Sequence, residues 1–284
     1  MGMRTSVPFK RGDLILSEEP LFTPFATWDD DTIQAAVREL PTAQKQEYNT
    51  LPYVISNAHH WQRIIFDAYY LPLSSSTPMK FRSSKKCGIF LKTLRFRSSC
   101  SPNVARVWDE KKNRMRLLAQ RDIAKEEELF VSYGNILAPR KERKEELRKD
   151  FDLGCTCAVC ALEGEALEES DKRREELGRL TRSIRVMGDD PRGGINAIHK
   201  TLELLREEGL THYEDHLYYY GYLFCVGASD MPHAKEWATK AHEALVLAAG
   251  ADGDGVELMR GYMEKPESHP CKGIFSRMVL SGPK

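Results

Sequence analysis

The sequence predicts an α+β chain in two parts: a β-rich N-terminal portion with a helical insert and a cysteine-dense closing loop, then an all-α C-terminal region. Three observations carry this reading. Short apolar runs bounded by turn residues fill roughly residues 1–135. Cys155, Cys157 and Cys160 fall within one short stretch, CTCAVC. From Glu163 onward, apolar residues recur at the spacing of a helix face.

Taken in order, KRGDLILSEEPLF has a Gly-Asp turn, a Leu-Ile-Leu strand and a proline exit. DDDTIQAAVREL follows with an acidic N-terminal cluster and apolar Ile33, Val37 and Leu40, which predicts a short amphipathic helix. Pro41 ends it, and TAQKQEYNTL resumes helix. The Ser-rich stretch at residues 71–86 reads as a loop or disordered insert. VARVWDEKKNRMRLLAQRDI reads as two strands joined by a charged turn, and ELFVSYG as another strand closed by Gly134. PRKERKEELRKDF is a charged helix leading into the cysteines. Beyond it, Gly and Pro punctuate the helical runs at Gly188–Pro191, Gly209, Asp230–Pro232 and Gly250–Gly255, which predicts stacked helical hairpins. The divisions are therefore residues 1–135 with an insert at about 28–95, residues 136–162, and residues 163–284.

Composition narrows the function. Lys+Arg and Asp+Glu are both 42, so no global basic field favours nucleic acid. The basic runs LKTLRFRSS and RKERKEELRKD read better as solvated faces, the second with i,i+4 pairs. No apolar run is long enough to cross a bilayer, and MGMRTSVPFKRGD has no apolar signal core. Gly2 with Ser6 loosely fits an acylation pattern, but the segment reads better as the edge of a fold. A cytoplasmic or nuclear protein is the expectation.

Seven cysteines, an odd number with three crowded together, suggest metal in a reducing compartment. Zn²⁺ takes four ligands, so Cys155, Cys157 and Cys160 leave one position open. Cys100, in FRSSCSPNVARVW, is the best fourth ligand, with Cys87, Cys225 and Cys271 as competitors. Cys87 and Cys225 sit in apolar settings and look like core residues. His59-His60 have no third ligand in sight.

These segments together resemble the SET-domain protein lysine methyltransferases, within them the SMYD-like and fungal SET proteins. RGDLILSEEPLF is similar to an early strand signature of the family. SSCSPNVARVW is similar to its Asn-His-Ser-Cys-x-Pro-Asn motif and the following strand. RDIAKEEELFVSYGN is similar to the segment ending in Ser-Tyr-Gly, and FDLGCTCAVC to the post-SET cysteine motif. The resemblance covers about residues 1–162, and a helical C-terminal region is common in this branch. It implies a β-rich SET fold with a threaded, knot-like segment, S-adenosylmethionine as cofactor, and a lysine-bearing protein or peptide as substrate, a histone among the candidates. It implies that Tyr133 is the catalytic phenol lining the lysine channel. Gly2, Met3, Arg97, Ser98, Asn103 and Phe151 would border the cofactor, and Cys100, Cys155, Cys157 and Cys160 would hold a structural zinc.

Four departures bear on activity. Arg97 and Ser98 stand where the family has Asn-His, and an arginine brings positive charge toward a sulfonium. Only Gly2 matches the family's Gly-x-Gly turn, which implies that the first strand is missing. Glu126 replaces a glycine, so the turn before the catalytic strand should need a different geometry. Phe151 replaces a tyrosine, and Leu153 a phenylalanine. Together they imply weakened or lost methyl transfer. The alternative is a non-catalytic, zinc-stabilised interaction module that uses the helical region, where Tyr218, Tyr219, Tyr220 and Tyr222 form an aromatic stripe.

Overall fold

The computed structural model describes residues 2–24, 28–52, 60–73, 86–151 and 153–284. Most of the Ser-rich stretch and His59 therefore lie outside the described residues.

The N-terminal framework is assembled from short ladders. Strand β1 (Leu14–Glu18) pairs antiparallel with β6 (Arg114–Ala119), which pairs antiparallel with β5 (Val104–Asp109). The β5–β6 hairpin is the one the sequence predicts, and its charged turn closes with Asn113 at φ 51°, a left-handed position that asparagine tolerates. Two other ladders are only two residues long: β2 (Leu71–Pro72) with β3 (Cys87–Gly88), and β4 (Arg97–Ser98) parallel to β7 (Phe130–Val131). The expected ELFVSYG strand is therefore regular over two residues only.

An N-terminal edge is nevertheless present. The Met3 carbonyl accepts from Leu129 N–H at 2.8 Å, and single bridges join Arg4 to Glu128 and Phe9 to Ile123. Residues 3–5 and 97–99 thus flank the strand that leads to Tyr133. Glu126 keeps a glycine-like turn rather than a new one: its φ is 65°. Its N–H donates to the Thr5 carbonyl and its carbonyl accepts from Arg4 Nη1, so backbone bonds hold the residue in a conformation that L side chains disfavour.

Among its described residues the insert holds three α-helices. In α1 (Asp30–Arg38), Asp29 caps the first turn by accepting from Thr32 N–H, and Ile33 and Val37 are buried. Pro41 separates it from α2 (Thr42–Asn49). α3 (Trp61–Tyr69) buries Ile65 and Phe66, and Phe66 stacks on Phe22 and Tyr70. The insert and the sheet have separate cores, one built on Ile33, Tyr48, Phe66 and Ile89, the other on Phe90, Trp108, Leu117 and Val131.

After α4 (Arg140–Phe151) come α5 (Gly164–Ile184), α6 (Pro191–Glu207), α7 (Glu214–Gly227), α8 (Met231–Ala249) and α9 (Val256–Glu264). Each of α5 to α8 packs on the helix that follows it, and their ends fall where Gly and Pro punctuate the sequence. Gly221 permits a close approach of α7 and α8, since a Cβ there would lie 2.5 Å from the buried Trp237 ring. The chain closes with an extended strap. Phe275 N–H donates to the Gly227 carbonyl, Leu280 N–H to Asp230, and Trp237 Nε1–H to the Ser281 carbonyl. No helix among the described residues is long and apolar enough to cross a membrane.

Candidate active site and metal centre

Cys100 follows β4, and the other three cysteines occupy the loop after α4. The fold brings all four Sγ atoms within 4.8 Å of one another. Cys100 Sγ lies 3.5 Å from Cys160 Sγ and 3.9 Å from Cys155 Sγ. A tetrahedral zinc with Zn–S bonds of about 2.3 Å sets sulfurs about 3.8 Å apart, so the spacing suits a shared zinc ion. It is too long for a disulfide, and all four are free thiols.

Chemistry favours the same reading. Hydrogen bonding from Cys100 first, and from the other thiols after it, pulls Cys157 well below its ordinary value, while the same contacts push Cys100 up. Four touching thiols cannot all ionise unaided; a divalent cation removes that conflict. Cys87 and Cys225 lie in the insert and helical cores, and burial pushes both thiols up, Cys87 to about 11.

Beside this cluster lies a cavity of about 450 Å³. β4 contributes Arg97 and Ser98, the segment beyond β7 contributes Tyr133, and the end of α4 and its loop contribute Phe151, Leu153 and Cys155–Ala158. A further wall comes from Ala68, Tyr69, Tyr70 and Leu71, at the end of α3 and the start of β2. The volume lies within the range of about 300–1,000 Å³ usual for small-molecule sites, and the lining is largely aromatic and apolar. Among the described residues, its charged lining is Arg95 and Arg97, which pair with Glu47 and Glu128.

Tyr133 meets Phe151 edge to face at 5.6 Å, and Arg106 Cζ sits 4.6 Å from the centre of its ring. Burial pushes its phenol above the ordinary value, and the Arg106 charge pulls the other way. Arg106 is itself tethered, with Nη2 donating to the Ser132 carbonyl at 2.5 Å.

Of the residues expected around the cofactor, Arg97, Ser98 and Phe151 line this cavity and Gly2, Met3 and Asn103 do not. Asn103 is 1% exposed. Its Nδ2 donates to Glu127 and the Glu128 carbonyl, and its Oδ1 accepts from Phe130 N–H, so it ties β5 to β7. Gly2 lies against the Arg97–Glu128 pair, where a Cβ would lie 1.9 Å from Glu128 Oε1. Met3 acts through its backbone on Leu129.

Sequence reasoning did not find Arg106, Tyr69 or Tyr70. The spacing of Trp61, Ile65, Ala68 and Tyr69 was the available signal for α3; nothing local marks Arg106. The aromatic stripe at Tyr218–Tyr222 packs inward: Tyr222 is fully buried, stacks on Tyr262 and donates to the Pro266 carbonyl. His60 pairs with Asp30 at 2.6 Å.

A short ladder framework, a helical insert walling an aromatic cavity, and a cysteine cluster beside it define a SET-type architecture. Residues 1–134 match the family model of the SET domain. It is 29% identical over 272 residues to "Histone-lysine N-methyltransferase set5" of Schizosaccharomyces pombe, covering 95% of this chain and 82% of that protein. It is also 29% identical over 141 residues to "SET domain and MYND-type zinc finger protein 6" of the same yeast, covering 47% of this chain and 28% of that protein.

Proposed function

We propose that the protein is an S-adenosylmethionine-dependent protein-lysine N-methyltransferase. The observation that carries this is the convergence of Tyr133, Phe151, Arg97 and Ser98 on one aromatic cavity walled by the cysteine loop. The extended similarity to a yeast histone-lysine methyltransferase supports it, and makes a lysine of a histone the first substrate to try.

S-adenosylmethionine, when bound, supplies an electrophilic methyl group on sulfur. The chain's own task is to present a neutral amine in line with it. Free lysine titrates near 10.4, so the site must disfavour the ammonium. The cavity does this by desolvation: Tyr69, Tyr70, Phe96, Phe130 and Phe151 strip water from the amine. Tyr133, fixed by Phe151 and Arg106, orients the amine through its hydroxyl. Cys100, Cys155, Cys157 and Cys160 would hold zinc and so fasten the loop that forms one wall. The Arg97–Glu128 pair partly answers the charge of Arg97, which limits its cost to a bound cation. Nuclear and cytoplasmic lysines are both in scope.

The test is calorimetric binding of S-adenosylmethionine to the zinc-loaded chain, followed by transfer of labelled methyl to histones and other lysine-rich proteins. Micromolar binding is expected, with transfer that Tyr133→Phe lowers about 10²-fold while leaving cofactor binding unchanged. No binding by the chain, nor by an Arg97→Asn/Ser98→His variant, would overturn the proposal.

A further inference from the structure

Arg143, on the first turn of α4, is 1% exposed, a rare setting for a guanidinium. Its Nη1 donates to the Ala138 carbonyl and has Asp171 Oδ1 at 3.8 Å. Its Nε and Nη2 are buried and have no hydrogen-bond partner. Buried donors of a charged group are seldom left unanswered, because they have lost water and gained nothing.

The groups beside those donors are the thiols. Cys100 and Cys160 sit together on that side of the fold, with their Sγ atoms 3.5 Å apart. Arg143 also lines a crevice with Cys100, Ser98 and Tyr133 that has no room for a water. A neighbouring arginine gives the contrast. Arg174 is fully buried too, but its donors are answered by Glu208 and by the Ile136 and Cys100 carbonyls.

We propose that Arg143 is the counter-cation of the metal centre, its Nε–H and Nη2–H donating to the Cys100 and Cys160 thiolates once zinc is bound. Four thiolates and one divalent ion carry a net charge of about −2, which a low-permittivity interior penalises unless a cation faces it. Arg143 supplies that charge together with two directional donors, and so sets how tightly the metal is held. Groups in this position change metal affinity by about 10–100-fold. The inference rests on the zinc reading above, and its test separates the two.

The full-length chain is loaded with zinc and titrated against a competing chelator, then loaded with cobalt(II) for its thiolate-to-metal absorption. Arg143→Met should weaken zinc binding about 10–100-fold. Arg143→Lys keeps the charge but not both donors, and should weaken it by less than about tenfold. In both, the cobalt–thiolate band should move to lower energy as the N–H···S bonds are lost, a change that mere loss of packing would not cause. If Arg143→Met does not fold, Arg143→Lys decides. A parent that binds zinc, with an Arg143→Lys variant matching it in affinity and band position, overturns the counter-cation role alone. A parent that binds no zinc overturns the metal reading and this inference with it.

Discussion

Arg174 joins the helical region to the SET domain, and its removal should be costly. It lies on α5 with no solvent exposure. Its Nε bonds Glu208 Oε2 at 2.8 Å, its Nη2 reaches the Cys100 carbonyl at 3.2 Å, and its Nη1 reaches the Ile136 carbonyl. Arg174→Met deletes all three. Glu208, whose side chain is 4% exposed, would keep Arg173 at 2.7 Å and Ser170 at 2.9 Å. Breaking a buried pair from one side costs about 3–5 kcal/mol, and Arg173 offsets part of this while the two orphaned carbonyls add to it. With an unfolding entropy of about 0.6 kcal/mol/K for a chain of this size, the expected loss in Tm is about 5–8 °C. Differential scanning fluorimetry of the zinc-loaded protein reads it, and Arg174→Met/Glu208→Gln should recover part of the loss by removing the stranded charge. A single variant within about 1 °C of the parent would refute the idea that Arg174 clasps the two regions.

Other outcomes follow from the same structure. Glu126→Gly should raise stability by about 0.5–1 kcal/mol: relief of a left-handed residue, worth about 1–2 kcal/mol, exceeds the extra entropy of an unfolded glycine; a lower Tm would show that the Glu126 side chain is needed. Gly221→Ala should cost about 1–3 kcal/mol in urea unfolding, because its Cβ meets Trp237. Burial lowers His269 below the ordinary imidazole value of about 6.5, while its Nδ1 accepts from Cys271 N–H. The unfolded chain therefore binds this proton more readily, and stability falls as pH drops below about 6.5 toward the folded value. His269→Gln should flatten that part of a Tm-against-pH curve, and an unchanged slope would assign the pH dependence to other groups. Chelation of zinc should lower the Tm of the parent, with Cys100→Ser mimicking the loss; equal Tm with and without metal would argue against a structural ion.

What could be read from the chain was local. Asp29 before a periodic run, Pro41 after it and the Gly-Pro breaks beyond Gly188 mark helices through bonds that close within a few residues. The β5–β6 hairpin was legible for the same reason, as strands this close in sequence pair through their own turn. Cys155, Cys157 and Cys160 stand out because their spacing within one loop is itself a chelate pattern. The short ladders were less legible: β4 and β7 pair over two residues each, with little periodicity to see, and α3 hides beside residues whose role depends on the cavity they wall.

By itself, then, the sequence determined the helical segments other than α3, the hairpin, the three-cysteine loop and the motifs that place Tyr133 and Cys100 among functional candidates. Only the tertiary structure decided that Cys100 completes the thiol cluster, that Asn103 serves as a tie between β5 and β7, and that Arg106 sits over the Tyr133 ring. It alone placed Arg143 with unanswered donors beside Cys100, and it alone showed residues 3–5 paired with the strand leading to Tyr133. The physical reason is range. A cap, a turn or a helix face is set by neighbours along the chain, whereas a thiol cluster, a cation over a ring or a buried donor without a partner exists only when segments far apart in sequence are packed together and shut away from water.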